Sequence, residues 1–188
     1  MAAVRELSVR AGGRDFRLRA LADRVQDADP MFGELWPASV ALAERMADYP
    51  ARGKRVLEAG CGLALPSLVL ASRGISVTAS DRHPKAGDFL AHNAALNGLP
   101  PVPFRLADWA DADLGTFNLI IGADLLYERD QPAVLVAFLE RHAAPGAEIV
   151  IADPGRRQLG QFRKLMAARQ RACSETRFAP RGRILTFA

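Results

Sequence analysis

The sequence predicts an α/β protein with a mostly parallel sheet, and three observations support this fold class. Helical and strand patterns alternate along most of the chain, which is typical of strand–helix–strand units. Residues 55–81 hold the clearest such unit, with a short apolar strand, a glycine turn, a helical segment and a second strand. Acidic side chains stand at the ends of four successive predicted strands, and parallel strands bring their carboxyl ends to one edge of a sheet.

Composition narrows the class of protein further. The 188 residues are 49% hydrophobic and 24% charged, as in a globular protein of one domain. The sequence has no apolar run long enough to span a bilayer, and charges near the N-terminus argue against a signal peptide. Cys61 and Cys173 lack metal-ligand spacing. We therefore expect a cytoplasmic protein with no membrane contact and no metal.

The N-terminal part is predicted to form a β-hairpin followed by a helix. Residues 4–10 and 14–20 alternate loosely between apolar and polar side chains around Ala11-Gly12-Gly13, a pattern of two strands with a glycine turn. An Asp-rich loop is expected at 23–30. A helix at 38–47 follows, because Pro37 suits a first helical turn and Pro50 ends the pattern.

The strand–helix–strand unit consists of a strand at Val56 and Leu57, a helix at 65–72 closed by Gly74, and a strand at 75–79 running on to Asp81. Glycine or proline residues separate many of the later segments. Those later predicted elements are a helix at 85–96, strands at 101–106 and 117–121, a helix at 131–142, a strand at 148–152, a helix at 159–171 and a closing antiparallel pair at 177–178 and 184–187.

The net charge of +4 conceals an uneven distribution. The segment 154–188 holds nine Arg or Lys residues and a single acid, Glu175. This segment is either an ordinary solvated basic surface or a docking face for an acidic partner.

The acids at the strand ends predict a nucleoside site. These acids are Glu58, Asp81, Asp108 and Asp124. Gly60 and Gly62 would let the backbone approach a ligand that a Cβ atom would hold away. Asp81, about twenty residues further on, suits the two ribose hydroxyls. Asp108 can accept a hydrogen bond from an adenine amino group, and Trp109 can stack on the ring.

The same residues indicate which nucleoside. A dinucleotide site needs a third glycine, but Leu65 stands at that position, followed by Pro66. The chain also lacks the G-x-x-x-x-G-K-[ST] run of a nucleotide triphosphatase. Carboxylates repel a pyrophosphate and attract a cation. The expected ligand is therefore S-adenosylmethionine, which carries a sulfonium and an amine and whose product is S-adenosylhomocysteine.

These motifs resemble those of class I S-adenosylmethionine-dependent methyltransferases, and more narrowly the D-x-x-Y family of protein lysine methyltransferases. The matching pieces are Glu58-Ala59-Gly60-Cys61-Gly62, Asp81, Asp108-Trp109, Asp124-Leu125-Leu126-Tyr127 and Leu35-Trp36-Pro37-Ala38. Asp153-Pro154-Gly155-Arg156 is similar to a stretch in the branch that methylates the electron transfer flavoprotein β subunit, or it is a simple turn. Bacterial relatives of the group carry the label nicotinamide N-methylase.

The resemblance implies a fold and residue roles. The fold would be Rossmann-like and doubly wound, with a mostly parallel seven-stranded sheet and an N-terminal β-hairpin extension. The implied cofactor-binding residues are Trp36, Glu58, Gly60, Cys61, Gly62, Asp81, Arg82, Asp108, Trp109 and Ala123, and the implied catalytic residues are Asp124 and Tyr127. Asp124 could instead cap a helix. Ala64 departs from the family, which usually has a third glycine there.

The implied activity is N-methylation of protein lysine by one domain spanning residues 1–188. That domain would comprise a hairpin and loop (1–31), a cofactor-binding core (32–156) and a C-terminal helix with strands (157–188). The partner would then be a protein substrate. Three alternatives remain: a small-molecule methyltransferase, a nucleic-acid methyltransferase and a silent binding module. The fourth strand lacks the N/D-P-P-Y/F tetrad, which argues against nucleic acid.

Overall fold

A computed structural model describes residues 3–22, 32–110 and 112–188 and contains two sheets. The larger sheet has seven strands in the order β5-β4-β3-β6-β7-β9-β8, and the smaller one is the hairpin β1-β2. The first five strands of the larger sheet run parallel, whereas β9 is antiparallel to both of its neighbours. The expected doubly wound α/β fold with an N-terminal hairpin is therefore confirmed.

The elements follow one another in the predicted order. The strands are β1 (Val4–Ala11), β2 (Arg14–Leu21), β3 (Val56–Ala59), β4 (Val77–Asp81), β5 (Phe104–Leu106), β6 (Phe117–Ala123), β7 (Ala143–Asp153), β8 (Cys173–Phe178) and β9 (Gly182–Phe187). The helices are α1 (Pro37–Met46), α2 (Leu65–Ser72), α3 (Ala86–Leu96), α4 (Gln131–His142) and α5 (Leu159–Ala167).

The hairpin is fastened to α3 by two asparagine side chains. Asn93 Oδ1 accepts the Arg19 N–H at 2.7 Å, and Asn97 Oδ1 accepts the Arg17 N–H at 2.9 Å. The Asn97 side-chain amide also donates to the Arg17 carbonyl at 2.7 Å. These bonds satisfy backbone groups of β2 that have no strand partner, and they hold the small sheet against the larger domain.

Two apolar clusters cover the two faces of the larger sheet. Successive residues of β6 alternate between them, since Leu119 and Ile121 face one cluster and Ile120 the other. The first cluster packs beneath α1, α2, α3 and the hairpin, and the second beneath α4 and α5. Burial on both faces explains why the stretch from Leu119 to Ile121 of β6 is continuously apolar in the sequence.

Several element ends differ from the sequence expectation. Helix α5 ends at Ala167 rather than 171, and Gln170 has a left-handed φ of 60°. Strand β5 begins at Phe104 rather than 101, because Pro101 and Pro103 have no N–H to donate to a ladder. Strand β7 begins earlier than expected, at Ala143, and its pairing with β6 contains a register shift. The loop expected at 23–30 lies outside the described residues.

The topology brings chain segments from far apart in sequence to one edge of the sheet. Strands β3, β4, β6 and β7 are parallel neighbours, so their carboxyl ends lie together. Strand β9 runs the other way, and Arg183 near its start pairs with Asp153 at the end of β7. The β8–β9 turn therefore lies at the carboxyl edge as well. Among the described residues, the structure contains no helix that is both long and apolar enough to cross a membrane.

Candidate active site at the carboxyl edge

A cleft of about 300 Å³ opens at the carboxyl edge of the sheet, within the size range of small-molecule sites. The structure brings all twelve sequence-predicted site residues to its lining. These are Trp36, Glu58, Gly60, Cys61, Gly62, Asp81, Arg82, Asp108, Trp109, Ala123, Asp124 and Tyr127. Seven carboxylic acids but a single arginine stand among the described lining residues. Such a cleft favours a cationic ligand over an anionic one.

The glycine turn after β3 uses its glycines for two different reasons. Gly60 has a φ of 62°, and a Cβ atom there would lie 2.6 Å from Leu125 Cδ2. Gly62 has a φ of 52°, but a Cβ atom there would meet nothing within 4 Å. At Gly60 both the positive φ and the neighbouring Leu125 side chain favour glycine. At Gly62 only the positive φ does, and the missing side chain leaves open space beside the cleft. Ala64 has a left-handed φ of 61°. This alanine therefore adopts the backbone conformation that a glycine would favour at the same position.

Asp81, the last residue of β4, is held by two backbone amides. Its Oδ2 accepts the Gly62 N–H and its Oδ1 accepts the His83 N–H, each at 2.8 Å. These two bonds fix the orientation of the carboxylate at the edge of the cleft. The His83 ring stacks on Phe32 with 3.7 Å between centroids. Phe32 also lines the cleft, and the sequence analysis gave it no role.

Glu58 turns towards the start of α2. One carboxylate oxygen accepts the Ser67 N–H at 3.0 Å and also the Ser67 hydroxyl. Burial raises the pKa of Glu58 to about 8, an effect that the Ser67 hydrogen bonds oppose. Glu58 therefore joins β3 to α2 as well as lining the cleft.

Asp108 and Trp109 come shortly after β5, and both line the cleft. Asp108 Oδ1 accepts the Ala110 N–H at 2.9 Å, and the residue is otherwise exposed. The Trp109 ring lies 6.2 Å from Phe138 between centroids, and its Cζ2 would lie 3.6 Å from a Cβ atom at Gly60. The indole is thus packed on one side and close to the glycine turn on the other.

Asp124 is bound to an arginine that the sequence analysis did not single out. Arg156 donates from Nε to Oδ1 at 2.7 Å and from Nη2 to Oδ2 at 2.9 Å. The side chain of Asp124 is 4% exposed and that of Arg156 is 32% exposed. This bidentate geometry is the strong form of an ion pair, and hydrogen bonding to Asp124 raises the pKa of Arg156. Helix α4 begins only at Gln131, so the alternative that Asp124 caps it is wrong.

The backbone around this ion pair is also fixed. Asp124 has a left-handed φ of 56°, and its N–H donates to the Ala152 carbonyl at 2.8 Å. Asp153 Oδ1 accepts the Gly155 and Arg156 N–H groups, each at 2.7 Å. Asp153 thus forms the turn that the sequence allowed, and burial raises its pKa. The turn directs Arg156 at Asp124, and the Asp153-Pro154-Gly155-Arg156 motif was the signal available for this role.

Arg82 and Tyr127 meet across the mouth of the cleft. Arg82 Cζ lies 5.8 Å from the centroid of the Tyr127 ring, and its Nη2 pairs with Glu128 Oε1 at 3.1 Å. Both charged side chains are about half exposed, so this contact contributes little to stability. It nevertheless links the end of β4 to the loop that follows β6.

The remaining predicted residues complete the wall. Trp36 precedes α1, and its carbonyl accepts the Ser39 N–H at 2.9 Å. Burial raises the pKa of the Cys61 thiol well above its usual value, which makes it a poor nucleophile. Ala123 ends β6 beside Asp124. Glu34 and Ser39 also line the cleft, although the sequence analysis did not select them.

Comparisons with curated proteins give a consistent family. The chain matches the family described as "Methyltransferase domain" over residues 35–183. It is 34% identical over 141 residues to the electron transfer flavoprotein beta subunit lysine methyltransferase of Mus musculus, covering 73% of this chain and 55% of that protein. It is 34% identical over 148 residues to protein N-lysine methyltransferase METTL21A of Danio rerio, covering 73% of this chain and 66% of that protein. The chain thus spans about half the length of the first of these relatives.

Solved structures show the same fold. The T. Thermophilus 16S rRNA N2 G1207 methyltransferase (RsmC), in complex with AdoMet and guanosine, superposes with a TM-score of 0.76 at 19% identity, covering 100% of this chain and 51% of that one. A ribosomal protein L11 methylase from Lactobacillus delbrueckii subsp. bulgaricus gives a TM-score of 0.65 at 20% identity, covering 88% of this chain and 91% of that one. Sequence, sheet order and site geometry agree, and this chain belongs to the methyltransferase domain family.

Proposed function

We propose that this chain is an S-adenosylmethionine-dependent N-methyltransferase that acts on protein lysine. The observation that supports it most directly is the cleft itself, in which seven carboxylic acids share the lining with a glycine turn at the carboxyl edge of the parallel strands. The names of the Mus musculus and Danio rerio relatives support lysine as the acceptor.

The residues present suit this cofactor. The space beside Gly62, where a Cβ atom would meet nothing within 4 Å, gives the ligand access to the backbone. Asp81 is held by two backbone amides at the carboxyl end of β4, where its carboxylate would accept hydrogen bonds from a ribose diol. Asp108 uses one oxygen for Ala110, which leaves the other for an adenine amino group. Trp109 and Trp36 supply apolar walls, and the acidic lining favours a sulfonium and an amine.

The chain's own residues would chiefly orient the acceptor and exclude water. When bound, the cofactor supplies a methyl group that the sulfonium already activates for displacement. Asp124 would accept a hydrogen bond from the neutral lysine amine and so direct its lone pair. Both of its oxygens already accept bonds from Arg156, so we assign Asp124 to orientation and not to proton abstraction. Tyr127, packed beside Arg82, would form the wall of the lysine channel.

A labelling experiment tests this function. The purified chain is incubated with methyl-labelled S-adenosylmethionine and a cell lysate, and portions are then treated with protease or nuclease. We expect label that protease removes and nuclease does not, and mass spectrometry should locate it on lysine. Asp124→Ala should bind the cofactor normally by calorimetry while transferring label far more slowly. Label lost to nuclease, or an Asp124→Ala protein of full activity, would contradict the proposal.

A further inference from the structure

We propose that four arginines form a docking surface for an acidic segment of the protein substrate. They lie beside the part of the cleft that contains Asp124, which we call the acceptor end. This inference rests on the proposed function and extends it to substrate choice. The four residues, which we call the basic rim, are Arg157, Arg177, Arg181 and Arg183.

The fold places the basic rim next to the acceptor end. Arg183 pairs in register with Arg177 across β8 and β9 and with Asp153 at the end of β7. Arg181 lies in the turn between those strands, and its carbonyl oxygen would be 3.4 Å from a Cβ atom on Gly155. Gly155 precedes Arg156, whose guanidinium binds Asp124 in the cleft lining. A continuous series of contacts therefore connects the rim to the residue assigned to orient the lysine.

The charge of the rim is largely uncompensated. Arg157 and Arg181 are exposed, and in the described part of the chain neither forms a salt bridge. Arg177 and Arg183 share one acid, Glu175, whose carboxylate lies 3.9 Å from the first and 3.0 Å from the second. Glu175 also pairs with Arg163 at 2.6 Å. One carboxylate thus serves three arginines, and the side chain of Arg177 stays 81% exposed. Asp124 and Asp153 are buried, so they offer little charge to a partner outside.

This arrangement selects a particular substrate chemistry. The acidic cleft attracts the ammonium group of an approaching lysine, while the adjacent rim attracts carboxylates of the same substrate. A lysine flanked by Asp or Glu satisfies both surfaces at once. A nucleic acid fits less well, because a phosphate backbone crossing from the rim would meet Asp108, Glu128 and Asp130, the exposed acids among the described residues that line the cleft.

The test uses two short synthetic peptides with one central lysine, flanked by Asp and Glu in one and by Asn and Gln in the other. The rim variant is Arg157→Glu/Arg181→Glu. The matched control is Lys164→Glu/Arg169→Glu, which changes the net charge equally but lies in and after α5, away from the carboxyl edge. We expect wild type and control to prefer the acidic peptide by about tenfold in kcat/KM, and the rim variant to lose that preference. Arg157→Gln/Arg181→Gln should give an intermediate value.

The outcomes separate this proposal from the proposed function. Equal kcat/KM for both peptides in the wild type, or equal loss of preference in both double variants, overturns the docking surface while leaving methyl transfer intact. Methylation of neither peptide by a protein that binds S-adenosylmethionine counts against the peptide substrate. In that case, fluorescence anisotropy with the same peptides, now fluorescently labelled, tests the docking surface by binding alone. The proposal is supported if the wild type binds the acidic peptide more tightly than the neutral one and the rim variant binds both equally. Tighter rim-dependent binding of a labelled RNA oligonucleotide would overturn it.

Discussion

Removing the guanidinium of Arg156 should destabilise the protein measurably. Arg156→Ala leaves the Asp124 carboxylate, which is 4% exposed, without its cation. Loss of one partner from a buried pair costs about 3–5 kcal/mol. The Arg156 side chain is 32% exposed, so water replaces part of the lost interaction, and we expect a loss of about 2–3 kcal/mol in the free energy of unfolding.

Thermal unfolding measures this loss. For a chain of this size, 1 kcal/mol shifts Tm by about 2–4 °C, so Arg156→Ala should melt roughly 5–10 °C below the wild type at neutral pH. The matched control is Arg157→Ala, one residue further on, which removes an exposed arginine without a salt bridge in the described part of the chain. We expect the control to stay within about 0.5 kcal/mol of the wild type.

A double-mutant cycle distinguishes lost pairing from lost packing. Asp124→Asn removes the carboxylate charge while keeping the shape, and asparagine tolerates the left-handed φ of 56° at this position. The double variant Asp124→Asn/Arg156→Ala should lose about 1–3 kcal/mol less free energy of unfolding than the sum of the losses in the two single variants. An Arg156→Ala protein that melts within about 2 °C of the wild type, or an additive double variant, would refute this reasoning.

Three further changes test other parts of the site. Asp81→Ala should weaken S-adenosylmethionine binding roughly 100-fold by calorimetry, because two charge-assisted hydrogen bonds are worth about 3 kcal/mol; Asp88→Ala, exposed on α3, is its control. The folded pKa of Glu58 is about 8 against an ordinary value of 4.5, so the folded state holds the proton more tightly and the wild type loses stability as pH rises between these values. Glu58→Gln removes this titration, so the Tm of the variant should rise relative to that of the wild type as the pH is raised from 5 to 8. Both Gly60→Ala and Gly62→Ala place a side chain at positive φ at a cost of about 1–2 kcal/mol, but Gly60→Ala should cost about 1–3 kcal/mol more in chemical denaturation because its methyl group collides with a neighbouring side chain.

Each of these expectations has an opposite result. Unchanged cofactor affinity in Asp81→Ala would remove the ribose role. A Tm difference between Glu58→Gln and the wild type that is constant with pH would mean that Glu58 is already ionised in the folded protein. Equal losses in the two glycine variants would mean that Leu125 moves aside without cost.

The sequence predicted most of the fold because the relevant signals are local. Glycine and proline mark many of the element boundaries, and helices α2 and α4 have the predicted bounds. The acids that end successive strands predicted the lining of the cleft, since parallel strands share one edge. Element ends set by tertiary pairing were harder to place, as β8 shows. Only two of its residues were expected, but pairing extends from Cys173, opposite Phe187, to Phe178.

The contacts that fix the site were hidden because they join distant segments. Arg156 and Asp124 are 32 residues apart and meet only because β6 and β7 are parallel neighbours with Ala123 opposite Ala152. The left-handed φ of Ala64 and Asp124 was equally hidden, because neither residue type requires that conformation.

The acidic lining of the cleft has a consequence for turnover. Methyl donation turns a positively charged sulfonium into a neutral thioether, so the spent cofactor would lose part of its Coulomb attraction to the surrounding carboxylates. The same acids that recruit the charged donor would thereby hold its neutral by-product less firmly. The change of charge would thus favour release of the spent cofactor and its replacement by a new donor.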